Sequence, residues 1–600
     1  MGKPDTADRL LTRAAQLHRA GEVAGAIKLY REVVEKAPGH AAALNLLGLA
    51  YVQSGEAERA VPLLQKALAL NPGLPSGHYN LGTILQGLKR YDQARRHYEL
   101  ALVQQPNDAE LHSNLGTVLR ALDRAEEAVI HFRRALELQP KFAAAHCNLG
   151  NALHTLGRNE EACAAFEQAL ALKPDLAEAY LNWGRALTAL GRQEEALARF
   201  ETAVSLKGDD PNGHLYRGNA LQKLGRYPEA LACHEKALAL DPAYADAHIS
   251  LGVALEALDR NEEALRSYDR AIQLMPDEAR SKWNKSHLNL ALGRFEEGWR
   301  WYEQRWATHG WEPRQYPQPR WNGGFVEGTL LVWAEQGLGD QILHASMIEE
   351  LRGHARSICL EVEPRLVPLF ARSFPQVEVL PLGPQLYAGP VVAHEALLSL
   401  GRHLRPNWQS FRPSQQGYLK ADAARAGELR ARLAQDGRRL IGLSWQSRNP
   451  RFGNAKTADL HDFAAVLSIP GCRFIDLQYG DTQAEREAVA QDQGVQVERV
   501  ADVDNLNDID ALAALISACD LVVTVSNTNA HLAGALGKPT WVMLPAGNAR
   551  FWYWFRDRQD SPWYPRAQIR RQALGQPWSD LIAMTAPELA QAVAQRPGRE

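Results

Sequence analysis

The chain has 600 residues, 46% of them hydrophobic and 23% charged, with a formal net charge of -3. That length exceeds what one hydrophobic core supports, so several domains or a repeat array are expected. The near-neutral balance gives no field to hold a polyanion, which leaves a nucleic-acid partner without support.

The six cysteines (Cys147, Cys163, Cys233, Cys359, Cys472, Cys519) form no Cys-x-x-Cys or His-paired cluster, so free thiols and no metal site are expected. The N-terminus lacks the apolar core of a signal peptide. No apolar run approaches the roughly 18 residues that would span a bilayer. A soluble, cytoplasmic protein is the expectation.

The first half repeats every 34 residues. Pro38, Pro72, Pro106, Pro140, Pro174, Pro242 and Pro276 form one column, Gly48 to Gly252 a second, and Ala26 to Ala264 a third. Each period reads as a helical hairpin: small residues let the paired helices approach, proline ends the second helix, and steps such as Gly157-Arg158 or Asp259-Arg260 make the turn. These columns resemble the tetratricopeptide repeat. Residues 7–312 are assigned to such a solenoid, eight full units ending near Glu278 plus a degenerate ninth, coiled into a superhelix with a concave groove.

A further column carries Asn80, Asn114, Asn148 and Asn182, with Asn284 in the same phase, interrupted by Tyr216 and Ser250. An amide both donates and accepts, so a row of them suits the backbone of a protein or peptide lying in the groove. The other reading is hydrogen bonding to the neighbouring repeat. A similar ladder occurs in the O-linked N-acetylglucosamine transferases, where it binds protein substrates.

Fourteen of the fifteen tryptophans lie at or beyond Trp283. Phe295 to Trp306 is expected to cap the solenoid and dock it on the next domain, and Pro313, Pro317 and Pro319 stiffen a linker over 313–328. Beyond it the pattern becomes strand, loop, helix: Thr329–Ala334, the turn Glu335-Gln-Gly-Leu-Gly-Asp340, then a helix to Leu351, with strands at Ser357–Val362 and near Val377–Leu380. The third glycine of a dinucleotide fingerprint and a Gly-Lys-Ser/Thr loop are both missing, which disfavours a dehydrogenase and a P-loop NTPase. The pattern restarts at Arg439–Trp445 and Arg473–Gln478. It culminates in strand Asp520–Ser526, turn Asn527–Asn529, helix Ala530–Gly537 and strand Lys538–Leu544. A helix N-terminus beyond a strand's carboxyl end favours phosphate. Asp508-Ile-Asp510 is expected to open a helix rather than bind metal.

The Gly-Leu-Gly-Asp turn and the His-Leu-Ala-Gly-Ala-Leu-Gly helix, with Trp299 to Trp306, Gly442-Leu-Ser-Trp445 and Ser561 to Pro565, resemble GT-B glycosyltransferases of the ADP-heptose transferase type, among them bacterial proteins that join tetratricopeptide repeats to such a lobe pair. The resemblance implies an α-solenoid followed by an α/β pair of Rossmann-type lobes, 329–435 on the acceptor side and 436–600 on the nucleotide-sugar side. It implies an inverting, metal-independent sugar transfer from a nucleotide-diphosphate donor, with no cofactor. Asp340 takes the family's place of the catalytic base, with helix capping as its alternative. Ser444, Ser447, Arg448 and Lys456 after the second lobe's first strand, and Thr528, Asn529 and His531 in the late turn, are the candidates for the diphosphate; surface charge is the alternative for Arg448 and Lys456, capping for the late turn. The family places Asp-Thr where this chain has Ser526-Asn527, so a negative charge is missing. The second functional reading is a non-catalytic interaction scaffold with degenerate lobes.

Overall fold

The computed structural model describes residues 6–74, 76–383, 387, 389–412, 414, 416–448 and 453–595. Residues 1–5, part of the stretch without a signal-peptide core, lie outside the described residues. By packing, the chain divides into two compact units, Met1–Pro242 and Ala243–Glu600.

The first unit is seven helical hairpins in succession, from Thr6–Arg19 with Val23–Lys36 to Pro211–Lys223 with Tyr227–Leu240. Each turn between paired helices needs one residue with positive φ. Glycine takes that place at Gly157, Gly191 and Gly225 (φ 75 to 77°), and Asp123 at φ 58°. The arginine that follows forks onto a glutamate three residues later, as in Arg158–Glu161 and Arg192–Glu195, but these pairs are exposed and add little stability.

The glycine column has a partner. A Cβ built on Gly82 would stand 2.8 Å from the Tyr98 ring, on Gly116 2.8 Å from Phe132, and on Gly150 2.7 Å from Phe166. In each of these hairpins the bare backbone of the first helix thus receives the ring of the second. Leu64, Tyr98, Phe132, Phe166, Phe200 and His234 fill this place in consecutive hairpins, all of them at most 1% exposed.

His234 is the exception in chemistry. Neither ring nitrogen has a hydrogen-bond partner, and burial pushes its pKa down to about 4. The folded value lies below the unfolded one of about 6.5, so the unfolded chain takes up the proton first as pH falls and stability is lost between about 6.5 and 4. Replacing His234 by phenylalanine, the residue of the preceding three hairpins, is expected to raise stability by about 1–3 kcal/mol and to reduce the acid sensitivity. Thermal unfolding of the full chain at pH 7 and pH 5 measures both. No gain at pH 7 together with an unchanged difference between the two pH values would show that the buried imidazole costs the fold nothing.

The second unit opens with an eighth hairpin, Ala245–Ala257 with Asn261–Leu274, and a ninth in which α1 (Ala279–Ala291) is followed by the short helices Phe295–Arg300 and Gln304–His309. Two parallel sheets follow. The first holds β1 (Val326–Trp333), β2 (Ala355–Val362), β3 (Glu378–Pro381) and β4 (Ala393–Ala396) in the order β3-β2-β1-β4, with α2 (Leu338–His344) after β1. The second holds β5 (Arg439–Ser444), β6 (Cys472–Asp476), β7 (Val497–Glu498), β8 (Leu521–Val525), β9 (Thr540–Leu544) and β10 (Ala567–Arg571), with α3 (Thr528–Ala535) between β8 and β9. Its order is β10-β9-β8-β5-β6-β7. Counted from β5 this is the doubly wound order 3-2-1-4-5-6, whose direction reverses between β5 and β8. The near-continuous burial of β5, β8 and β9 agrees with a parallel sheet covered on both faces.

Repeat and packing boundaries differ: the helical hairpins continue past 242, while the packing changes at Pro242. The reason lies in one continuous core. Leu290, Phe295, Trp299 and Tyr302 from the ninth hairpin share it with Leu330 and Leu360 of the first sheet, Leu532 of α3 and Trp552 beyond β9. Trp299 also donates to the carbonyl of Arg405 at 2.8 Å. The segment expected as a linker, 313–328, is partly structural: Arg320 bridges to His394, Trp321 is 1% exposed, and β1 begins at Val326 rather than Thr329. The short β4 carries no strand signal in the sequence. Asp508 caps the helix Ile509–Ala518 and Asp510 pairs with Arg372, so the acidic pair opens a helix as expected. Among the described residues no helix is long and apolar enough to cross a membrane.

Candidate functional site

The site is built at the carboxyl ends of β1, β5 and β8. After β1 the chain turns through Gln336, whose φ of 62° is rare outside glycine. The turn is held by Glu335, which accepts from the Arg305 guanidinium and from Trp306 Nε1. Arg305 is fully buried and also donates to Ser399 Oγ at 2.7 Å and to the Tyr302 carbonyl at 3.2 Å. The tryptophan-rich segment therefore fixes the glycine turn, a role beyond capping the solenoid.

Asp340 is the third residue of α2 and not its cap, a place taken by Gly337. A Cβ built on Gly337 would stand 3.5 Å from Asp340 Oδ2, so the carboxylate lies against the capping residue. It is partly accessible yet surrounded by protein, and this desolvation pushes its pKa up to about 6 against the pull of nearby Lys456. Lys456 is 4% exposed, lies 4.3 Å over the Phe551 ring, and is pushed down to about 8 by burial, with Asp340 working the other way. The two are in Coulombic reach without forming a salt bridge. The His344 ring, one turn after Asp340, donates from Nδ1 to the Asp340 carbonyl at 2.9 Å, and its Nε2 is buried without a partner.

From the second sheet α3 brings His531. Its Nδ1 lies 3.0 Å from Tyr564 Oη, its ring stacks on Trp554 at 5.2 Å, and Tyr553 meets it edge-on at 5.0 Å. Burial drives its pKa down to about 3, so the imidazole is neutral at pH 7. A Cβ on Gly339 would stand 2.9 Å from His531 Cδ2. The glycine of the first sheet's turn thus lets α2 and α3 touch, and Asp340, Lys456 and His531 converge where they meet.

Other candidates lie deeper. Ser444 Oγ is fully buried, donates to Gln478 Oε1 at 3.0 Å, and accepts from the amides of Asn527 at 2.7 Å and Asn529 at 3.0 Å. Asn529 is 1% exposed and donates a second time to the Leu477 carbonyl. These residues tie the switch point together from inside. The family's Asp would fall at Ser526, which is 2% exposed and accepts from Trp554 Nε1 at 2.9 Å. Asn527, in the place of the family's Thr, caps α3 by accepting at Oδ1 from Asn529 and Ala530 N–H, while its Nδ2 donates to Ser444 Oγ and to the Gln446 carbonyl. Thr528 opens α3 and is half-buried. Ser447 receives its backbone support from Thr457 Oγ1 at 3.1 Å, and the exposed Arg448 turns its guanidinium over Tyr479 at 5.3 Å. Sequence reasoning missed the aromatic wall Phe551, Tyr553, Trp554 and Tyr564. The run Phe551-Trp-Tyr-Trp-Phe555 was its visible signal.

The asparagine column is divided between its two readings. Asn80 donates to Asn45 at 3.4 Å and Asn148 to Thr117 at 3.5 Å, both in the preceding hairpin, while Asn182, 8% exposed, accepts from Arg185 at 3.1 Å. Among the described residues Asn114 and Asn284 have no side-chain hydrogen bond, and Asn80, Asn114, Asn148 and Asn284 are half-buried.

Models of the tetratricopeptide repeat match residues 2–75, 74–141, 142–208, 218–259 and 245–278. Protein FlbA of Caulobacter vibrioides is 34% identical over 289 residues, covering 44% of this chain and 48% of that protein. Cellulose synthase 2 operon protein C of Komagataeibacter xylinus is 43% identical over 65 residues, 11% of this chain and 5% of that protein. The chain thus spans about half the length of the first relative and a twentieth of the second. Among solved structures YrrB, a TPR protein with an unusual peptide-binding site, is 28% identical and covers 31% of this chain and 95% of its own, with a TM-score of 0.28. Residues 2–278 carry tetratricopeptide repeats, an architecture that supports a protein or peptide partner.

Proposed function

We propose that this chain is a glycosyltransferase that moves a sugar from a nucleotide-diphosphate donor to an acceptor protein recruited by the repeats. The observation that carries it is the meeting of Asp340, Lys456 and His531 beside the point where the second sheet reverses direction, the place where doubly wound sheets take their ligands. The two sheets are read as GT-B lobes. Asp340 takes the proton of the acceptor hydroxyl as that oxygen bonds to the anomeric carbon and the bond to the diphosphate breaks. The Lys456 ammonium and the N-terminus of α3, with Thr528 at its first turn, offset the charge that develops on the leaving diphosphate. Ser447 and Arg448 lie on the loop that borders the same site. Incubating the purified protein with a panel of nucleotide sugars tests the proposal: release of nucleoside diphosphate supports it, and no binding of any nucleotide sinks it.

A second reading, an interaction scaffold without catalysis, is favoured by one observation: Ser444 Oγ is fully engaged with its neighbours, and the Asn529 amide spends its N–H groups on Ser444 and the Leu477 carbonyl. The same panel separates the two.

For the groove, replacing Asn114, Asn148 and Asn182 together by alanine is expected to raise the KM for a protein acceptor by roughly two orders of magnitude, at roughly 1 kcal/mol for each lost hydrogen bond. The kcat should hold and the array should stay folded, with the melting temperature lowered only by the loss of the Asn148–Thr117 and Asn182–Arg185 hydrogen bonds. An unchanged KM would mean that the ladder does not bind the acceptor.

A further inference from the structure

The solenoid of the first unit sorts its charge between the two helices of each hairpin. Successive first helices pack on one another, Ala109–Ala121 on Ala143–Thr155, that on Ala177–Ala189 and that on Pro211–Lys223, while successive second helices stand further apart. The array therefore curves with its first helices inside, and they form the wall of the groove. From the second to the seventh hairpin these inner helices carry Glu110 and Glu178 as their only carboxylates, both in a first turn, where the helix N-terminus accounts for them. Their cations are Arg120, Arg185, Arg217 and Lys223. The outer helices hold more of the acid: Ala125–Leu138 alone has Glu126, Glu127 and Glu137.

Arg124, Arg158, Arg192, Arg217 and Arg226 are each paired with a glutamate. Among the described residues Arg120 and Arg185, both half-buried, have no such partner. Arg120 stands one turn beyond Thr117, to which Asn148 of the next hairpin donates, and its Nε is buried without a hydrogen bond. Arg185 donates from Nη1 to Asn182 Oδ1 at 3.1 Å and lies 5.5 Å over the ring of Tyr216, which takes the place of an asparagine in the ladder. A half-buried guanidinium has given up part of its hydration. The amide and the ring fix the direction of Arg185 without offsetting its charge.

We infer, resting on the reading that the repeats recruit a protein, that the groove of hairpins four to seven receives an extended polypeptide segment rich in aspartate and glutamate. Its carboxylates meet Arg120 and Arg185 while its backbone meets the asparagine amides. Tyr216 breaks the ladder because its ring backs the guanidinium that receives a carboxylate. Held in place beforehand, Arg185 loses little side-chain freedom on binding. A formal net charge of -3 for the whole chain does not oppose this, since the field that matters is local and comes from the placing of base inside and acid outside.

The test titrates the full chain, without nucleotide sugar, with fluorescein-labelled peptides in which Ser alternates with Glu, Gln or Lys, and reads binding by anisotropy. The Glu peptide is expected to bind about tenfold more tightly than the Gln peptide at low salt, a gap that narrows as salt screens the charges. Arg120→Gln and Arg185→Gln should each weaken binding of the Glu peptide about three- to tenfold and leave the Gln peptide unchanged. Arg185→Gln also gives up the contacts with Asn182 and Tyr216; should circular dichroism show it unfolded, Arg120→Gln, whose side chain makes no hydrogen bond among the described residues, carries the comparison. Equal affinity for the Glu and Gln peptides, binding of neither, tighter binding of the Lys peptide, or a folded Arg120→Gln that holds the Glu peptide as well as wild type would overturn the inference. Sugar transfer plays no part in the readout, so a chain inactive on every nucleotide sugar can pass this test and an active one can fail it.

Discussion

Asp340→Asn is expected to lower the kcat of the proposed sugar transfer by about 10²–10⁴-fold while leaving the KM for the nucleotide sugar nearly unchanged, because the carboxylate is asked to act only as the acceptor hydroxyl loses its proton. Asparagine keeps the size and shape of the side chain beside Gly337, so folding is not the variable. The pH profile sharpens the test. Asp340 is a base only when deprotonated, so the rate should rise through about pH 6; Lys456 holds its charge only when protonated, so the rate should fall through about pH 8. The acid limb should disappear in any residual activity of Asp340→Asn and the alkaline limb in Lys456→Gln. Wild-type kinetics flat from pH 5 to 9, or an Asp340→Asn enzyme of full activity, would take Asp340 out of the mechanism.

The second large effect is on stability. Arg305→Ala is expected to destabilise the second unit by about 3–5 kcal/mol, since it strips the counter-charge from Glu335 and leaves Ser399 and the Tyr302 carbonyl without their donor in a place closed to water. Lysine should not rescue it: one ammonium cannot serve acceptors spread around a planar guanidinium that also stacks 4.3 Å over Trp306. Denaturant unfolding of wild type, Arg305→Ala and Arg305→Lys measures this, and a loss below about 1 kcal/mol would mean that the pair contributes little.

Much of the first unit was legible because its rules recur at a fixed step. Proline, glycine and alanine columns gave eight hairpins, and the glycine column even predicts close approach, although not that a ring sixteen residues later supplies the contact. The order of the α/β elements was legible where strands are continuous apolar runs, as in Leu521–Val525. Short β4 and the two-residue β7 lacked that signal. The site was legible in part, through motifs that lie within one turn: Asp340 after its glycines, His531 on its helix. What escaped was whatever depends on residues far apart in sequence. Ser444 and Asn529 read as ligand groups because they stand at strand ends, yet Gln478 and Asn527 engage the Ser444 hydroxyl, and Ser444 and Leu477 take the N–H groups of the Asn529 amide. Lys456 read as surface charge or phosphate ligand, and only its burial beside Asp340 distinguishes the two.

The shared core of the ninth hairpin and the sheets has a bearing on how such a chain can be cut or shuffled. Arg550 and Arg556, 4–11% exposed at the side chain, find their counter-charges on Asp259 and Glu256 of the eighth hairpin, and Trp552 and Trp299 cover one another. An α/β region severed where the helical motif fades would carry unneutralised guanidinium groups and a bare aromatic surface. Severed after Pro242 it would keep both partners. Recombination between genes encoding chains of this kind should therefore be punished at the border a motif search would draw.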